Sequence, residues 1–200
     1  MRQGGGAAIE EASRFLMGAG PVHESLEKIA KKLDALAIPY AVCGGMALVA
    51  HGYDRTTVDV DVLVTAEGLS KTHEALEGLG YVPPFAGSKH LRDTQTSVRI
   101  EFLVAGQYPG DGKPKPVAFP DPRDAAVEIR GIRYLKLPKL IELKLASGMT
   151  NVGRLKDLSD VQELIRVLHL TREFGDEVDA SVRGKYHELW DAVAQSPQEP

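Results

Sequence analysis

With a single cysteine, Cys43, the 200-residue chain can form no internal disulfide, and that usage fits a reducing compartment. It has no large surplus of either charge: 24 Lys and Arg stand against 28 Asp and Glu. The formal net charge of −4 gives no overall pull toward nucleic acid, so any such binding must come from a local patch. One uncharged run, Ala35 to Tyr53, approaches the length of a membrane span. It is interrupted by Pro39 and by Gly44-Gly45, which suit a strand, a turn and a helix better. The opening MRQGGGAAIEEASRFL has acids where a secretion signal needs an apolar centre. A cytoplasmic protein without a membrane segment is therefore expected. The six histidines (23, 51, 73, 90, 169 and 187) show neither H-x-x-x-H nor Cys/His ligand spacing, which argues against zinc. There is no internal repeat and no G-K-[ST] phosphate loop.

The chain reads as a flexible stretch over 1–20, a core over 21–135, a helical region over 136–195 and a disordered tail over 196–200. Apolar residues at 22, 26, 29, 33 and 36 predict a helix from Val22 to Leu36. Pro39 closes that region and YAVC follows as a strand. Gly44-Gly45 makes a turn, and MALVAHG predicts a short helix ending at Gly52. TVDVDVLV alternates with period two and predicts a strand, followed by an amphipathic helix in EGLSKTHEALEGLG. YVPPF and SVRIEFLV are further strand candidates, and the Gly-, Pro- and Lys-rich segment 105–122 reads as an exposed loop. AVEIRGIRYL predicts a hairpin around Gly131, and helices are expected over PKLIELKLASG, Leu155 to Leu168 and Ala180 to Gln195. The fold class is α/β (α+β): a small mixed central sheet with flanking helices and a helical C-terminal third.

One stretch, CGGMALVAHGYDRTTVDVDVLV, carries chemistry. Asp59 and Asp61 are two apart in a strand and so share a face, about 6.6 Å from each other. At that distance two negative charges repel by roughly 2.5 kcal/mol at an effective dielectric near 20, and Asp is a poor strand former. A divalent cation offsets both costs; an acidic, half-exposed strand face paired to lysines is the plainer reading. Glu101, in VRIEFLV, can supply a third carboxylate. Gly44 and Gly45, after a strand and before a helix, can present unobstructed backbone N–H groups to phosphate, or simply turn the chain.

Several other residues carry two readings. Lys144 sits among Leu140, Ile141, Leu143 and Leu145, either snorkelling to water or reaching phosphate. Asp157 and Asp160 lie three apart near a helix start, where acids favour the dipole. Arg55, Arg154 and Lys156 suit phosphate or a nucleic-acid acceptor, or simply solvate the surface. Cys43 reads as core, and Tyr186 with Trp190 as packing.

Taken together, CGG, the spacer 46–58 and DVDV resemble the nucleotidyltransferase superfamily with the DNA polymerase β-like fold. The spacer is long for that family, and Gly45 stands where a serine is often found. The similarity extends to the bacterial single-domain branch that includes abortive-infection and toxin–antitoxin nucleotidyltransferases. There ALVAHGYDRTTVDVDVLV and LPKLIELKLASGMTNVGRLKDLSDVQEL have counterparts. The resemblance implies that Gly44 and Gly45 hold triphosphate and that Asp59, Asp61 and Glu101 bind Mg²⁺ (or Mn²⁺). It further implies that Lys144 approaches the nucleotide and that Asp157 orients the site or acts as base; Arg55 is counted with the nucleotide-binding residues on its charge alone. The implied activity moves NMP from an NTP to an acceptor hydroxyl on tRNA or protein, in a toxin-like role with an antitoxin partner. A small-molecule acceptor such as an aminoglycoside is the alternative, as is a non-catalytic nucleotide-binding relative.

Overall fold

Val22, Leu26, Ile29 and Leu33 recur at helical spacing because they form one buried face of helix α1 (Pro21–Ala35). Pro21 opens this helix, where its missing N–H costs nothing. Leu36, the last member of the expected series, is the C-cap and is exposed. The computed structural model describes residues 12, 14, 15 and 18–196. The rest of the expected flexible start and most of the expected tail lie outside the described residues. Within that start, Phe15 is buried and its ring lies 4.7 Å from that of His23.

The sheet has seven strands in the order β3-β4-β5-β2-β1-β7-β6. Strand β1 (Tyr40–Cys43) runs antiparallel to β2 (Asp59–Val64), and β2 runs parallel to β5 (Arg99–Val104). On one side β5 continues to β4 (Leu91–Asp93) and β3 (Tyr81–Val82); on the other, β1 continues to β7 (Ile132–Leu135) and β6 (Ala126–Ile129). Val60, Val62, Leu63 and Val64 are fully buried, so β2 is the hydrophobic centre of the sheet. Short helices α2 (Gly44–Ala50) and α3 (Ala66–Leu76) follow β1 and β2.

The differences from the sequence reading have local causes. β2 begins at Asp59 instead of Thr57, which leaves Val58 outside the sheet and 82 % exposed. YVPPF contributes only Tyr81–Val82, because Pro83 and Pro84 have no N–H for a ladder. β4 is three residues long, too short to show alternation, and is held by pairing on both sides. Helix α4 (Pro122–Ala125) ends the expected loop; its N-cap Asp121 accepts from the Arg123 N–H at 2.9 Å. The hairpin around Arg130 and Gly131 is present as expected.

In the C-terminal third, α5 (Leu137–Thr150) packs against α6 (Leu155–Val167) and α7 (Ala180–Gln195). Buried Glu142 on α5 accepts the Asp179 N–H at 2.9 Å and so fixes the start of α7. Tyr186 and Trp190 donate to the carbonyls of Thr171 and Leu170, both at 2.8 Å, which makes them packing residues. No helix among the described residues is long and apolar enough to cross a membrane.

Candidate active site

The two halves of the opening motif meet because β1 and β2 are antiparallel neighbours: Cys43 stands opposite Asp61. Gly44 follows immediately, with φ +58°, and a Cβ there would lie 1.7 Å from Asp61 Oδ2. Gly45 is required by the segment that leads into β2. A Cβ there would meet Thr57 Cβ at 2.7 Å, and the Thr57 hydroxyl donates to Asp59 Oδ1 at 2.7 Å. Each glycine thus makes room for the surroundings of one aspartate. Parallel pairing of β2 with β5 then puts Glu101 opposite Asp61 and Arg99 opposite Asp59. Arg99 Nε forms an ion pair with Glu101 Oε1 at 3.0 Å.

Burial pushes the Asp61 carboxyl up to about 7, and the charges of Asp59 and Glu101 push the same way; Lys144 and Arg154 oppose them. Cys43 is buried beside it, and that burial raises its thiol well above its ordinary value, so it is an inert core residue.

Asp61, Glu101 and Gly44 line one side of a cleft of about 610 Å³. The facing wall comes from α5 and the start of α6: Leu140, Leu143, Lys144, Ser147, Arg154 and Asp157. Lys144 does not snorkel. It is buried, and its ammonium donates to Asp157 Oδ1 at 3.0 Å and to Asp160 Oδ2 at 2.7 Å. Asp157 Oδ2 accepts from Ser147 Oγ at 2.7 Å and Arg154 Nε at 2.8 Å. Burial works against the Asp157 charge, yet Lys144, Ser147 and Arg154 together hold its carboxyl below the ordinary range. Both Asp160 oxygens lie 2.8 Å from Arg55 Nη1.

The third wall is the 106–112 loop with Phe119. It is pinned to the end of α5: Asn151 donates to the Gly110 carbonyl at 3.2 Å, and Lys115 bonds Thr150, Asp111 and the Pro109 carbonyl. Gly110 packs so closely that a Cβ would come within 2.8 Å of the Ser147 carbonyl.

The chain aligns with the crystal structure of ANT(2″)-Ia in complex with adenylyl-2″-tobramycin at a TM-score of 0.52. The identity is 15 %, over 86 % of this chain and 95 % of that one. The solution structure of the antibiotic-resistance factor ANT(2″)-Ia aligns at 0.50, with 17 % identity over 84 % and 88 % of the two chains. The fold is that of a nucleotidyltransferase. No family model matches the sequence, and no curated protein sequence does.

Within this nucleotidyltransferase fold the structure brings Gly44, Asp61, Glu101, Lys144 and Asp157 to one cleft. Asp59 adjoins it through the shared β2 face. Gly45 lies beneath, against Thr57, and Arg55 is held on Asp160 instead of lining the cleft. Sequence reasoning missed Thr57, Ser147 and the pinned loop. Ser147 stands one helical turn after Lys144 and Thr57 stands two residues before Asp59, but single hydroxyls at those spacings carry no distinctive signal.

Among the described residues, no group of three or more His, Cys, Asp or Glu is arranged as a metal cage. An Asp59/Asp61 pair does not need one for magnesium, which keeps several waters and phosphate oxygens beside one or two carboxylates. Asp61, raised by burial and two like charges, is the donor a cation would most relieve. Glu101 fits such a set only by leaving Arg99.

Proposed function

We propose that the chain is a Mg²⁺-dependent nucleotidyltransferase that moves NMP from an NTP to an acceptor hydroxyl and releases pyrophosphate. The observation that carries this reading is Asp61, wedged between a residue that cannot bear a Cβ and Glu101, and facing a cleft whose other wall holds Lys144. Asp59 and Asp61, with Glu101 as a third candidate, would hold the cation. When bound, the ion supplies charge neutralisation for the phosphates and for the attacking oxygen.

The chain's own residues do the rest. A new bond forms between the acceptor oxygen and the α-phosphorus, the bond to the β-phosphate bridging oxygen breaks, and pyrophosphate leaves. Where Asp59 and Asp61 alone hold the cation, the acceptor proton goes to Glu101, a half-buried carboxylate on the cleft. Asp157 is the weaker base, since its carboxyl is held low and both oxygens are engaged. It orients Lys144 instead, and Lys144 offers its ammonium to the nucleotide phosphates. Gly44 lets phosphate approach the Asp61 carboxylate without side-chain obstruction, and Gly45 leaves room for Thr57 beside Asp59. Preorganised charge such as the Lys144 ammonium fixed on Asp157 and Asp160 is the main source of rate in phosphoryl transfer.

A small hydroxyl-bearing acceptor is favoured by the likeness to ANT(2″)-Ia, whose crystal structure contains an adenylyl-tobramycin. A tRNA end or a protein hydroxyl, with an antitoxin partner in the cytoplasm, is the second reading. In its favour is Lys89, a cleft-lining ammonium with no side-chain partner among the described residues, suited to an anionic acceptor. The test incubates the protein with each labelled NTP and Mg²⁺ across tobramycin, total tRNA and cell protein, with Asp61→Asn as control. Label on one acceptor class, absent with Asp61→Asn, supports the reading and names the acceptor. Absence of both label transfer and NTP binding overturns it in favour of a non-catalytic relative.

A further inference from the structure

Residues 51–58 join α2 to β2, a turn at 51–52 followed by six residues with no regular structure, so no backbone ladder fixes how the chain arrives at Asp59. Two side chains do. The Thr57 hydroxyl donates to Asp59 Oδ1 at 2.7 Å, and Arg55 Nη1 grips both oxygens of Asp160 at 2.8 Å. Asp160 is buried on α6 and shares its Oδ2 with Lys144 at 2.7 Å. The Arg55 side chain is only 16 % exposed. It is therefore built into the body of the protein, with its guanidinium committed before any substrate arrives.

We propose that Arg55 and Asp160 are positioning residues for the acid pair: their strut ties the lead-in of β2 to α6 and, through Thr57, sets the Asp59 carboxylate for the cation. This rests on the metal-binding reading above. Arg55 was expected to approach the nucleotide, and the geometry gives it a different task. It couples the strand that carries Asp59 and Asp61 to the helix that holds Lys144. Both walls of the cleft are then registered by one buried carboxylate, since Asp160 touches Arg55 and Lys144 at once.

The charge of Arg55 makes the idea testable by sign. Removing a cation near a metal site should tighten cation binding if only electrostatics counts. Removing a strut should loosen it. The experiment titrates Mn²⁺ into the full chain by electron paramagnetic resonance and follows amide exchange over 54–59. Arg55→Gln is expected to bind Mn²⁺ about tenfold more weakly, with faster exchange there, and Arg55→Lys to recover most of the affinity. Thr57→Val, which keeps the Arg55–Asp160 pair, should weaken Mn²⁺ severalfold and guards against a folding failure of Arg55→Gln. Unchanged or tighter Mn²⁺ binding by folded Arg55→Gln and Thr57→Val overturns the proposal, even if thermal stability falls, because that pattern marks a purely structural pair. Asp61→Asn separates the two readings: it should abolish Mn²⁺ binding. If it binds as the wild type does, the metal site itself fails and the proposal falls with it.

Discussion

Gly44→Ala should damage the site far more than its one added carbon suggests. The new Cβ would lie 1.7 Å from Asp61 Oδ2, whereas side-chain carbons essentially never approach a neighbour closer than 3.0 Å. The Asp61 carboxylate must therefore retreat by more than about 1 Å, and a misplacement of that size costs on the order of 100-fold in rate. Alanine at φ +58° also adds roughly 1–2 kcal/mol of left-handed strain. For a chain of this length that strain alone lowers Tm by about 2–8 °C. Gly131→Ala separates the two effects. Its φ is +78° with nothing near its missing Cβ, so it should lose comparable stability and keep activity. In Gly44→Ala/Asp61→Ala the overlap is gone, and the double-mutant cycle should show a coupling of about 1 kcal/mol or more. The assay is thermal denaturation together with NTP turnover. Full turnover by Gly44→Ala, or zero coupling, would refute the claim that glycine and aspartate form one device.

Three further outcomes follow from the same geometry. The Asp61 carboxyl stands at about 7 in the folded protein, above its unfolded value of about 3.9, so it favours folding below pH 4 and loses that contribution as pH rises toward 7. Metal-free protein should thus lose stability across that window, and Mg²⁺ or Asp61→Asn should flatten the slope in a pH series of melts. Lys144→Met leaves Asp157 and Asp160 buried with one partner fewer each, and should cost about 3–5 kcal/mol in urea unfolding as well as NTP affinity. Lys89→Ala should leave Tm unchanged and raise KM severalfold, for the NTP or for an RNA acceptor but not for tobramycin; an unchanged KM throughout would remove Lys89 from the site.

Much of the site was readable because it is local. The Tyr40–Val64 span forms a strand, a helix and a strand, and period-two alternation alone put Asp59 and Asp61 on one face. Asp61 faces Glu101 because two apolar, β-branched runs pair in parallel, and both runs were visible as strands. What could not be read is what depends on distance in sequence. Arg55 and Asp160 meet across 105 positions, and the Gly110 loop meets Ser147 across the end of α5. Lys144 showed only its apolar neighbours, so its two buried aspartates, one and two helical turns into the next element, were invisible as partners. The start of β2 misled for a related reason: alternation carries the strand back to Thr57, but the sheet ends at Asp59 and leaves Val58 exposed.

The most direct test of the central claim is calorimetric titration of Mg²⁺ with a non-hydrolysable ATP analogue into wild type and Asp61→Asn. The account predicts metal-dependent binding by the wild type and its loss in folded Asp61→Asn. Equal binding by both proteins, or binding by the wild type that is indifferent to Mg²⁺, would contradict it.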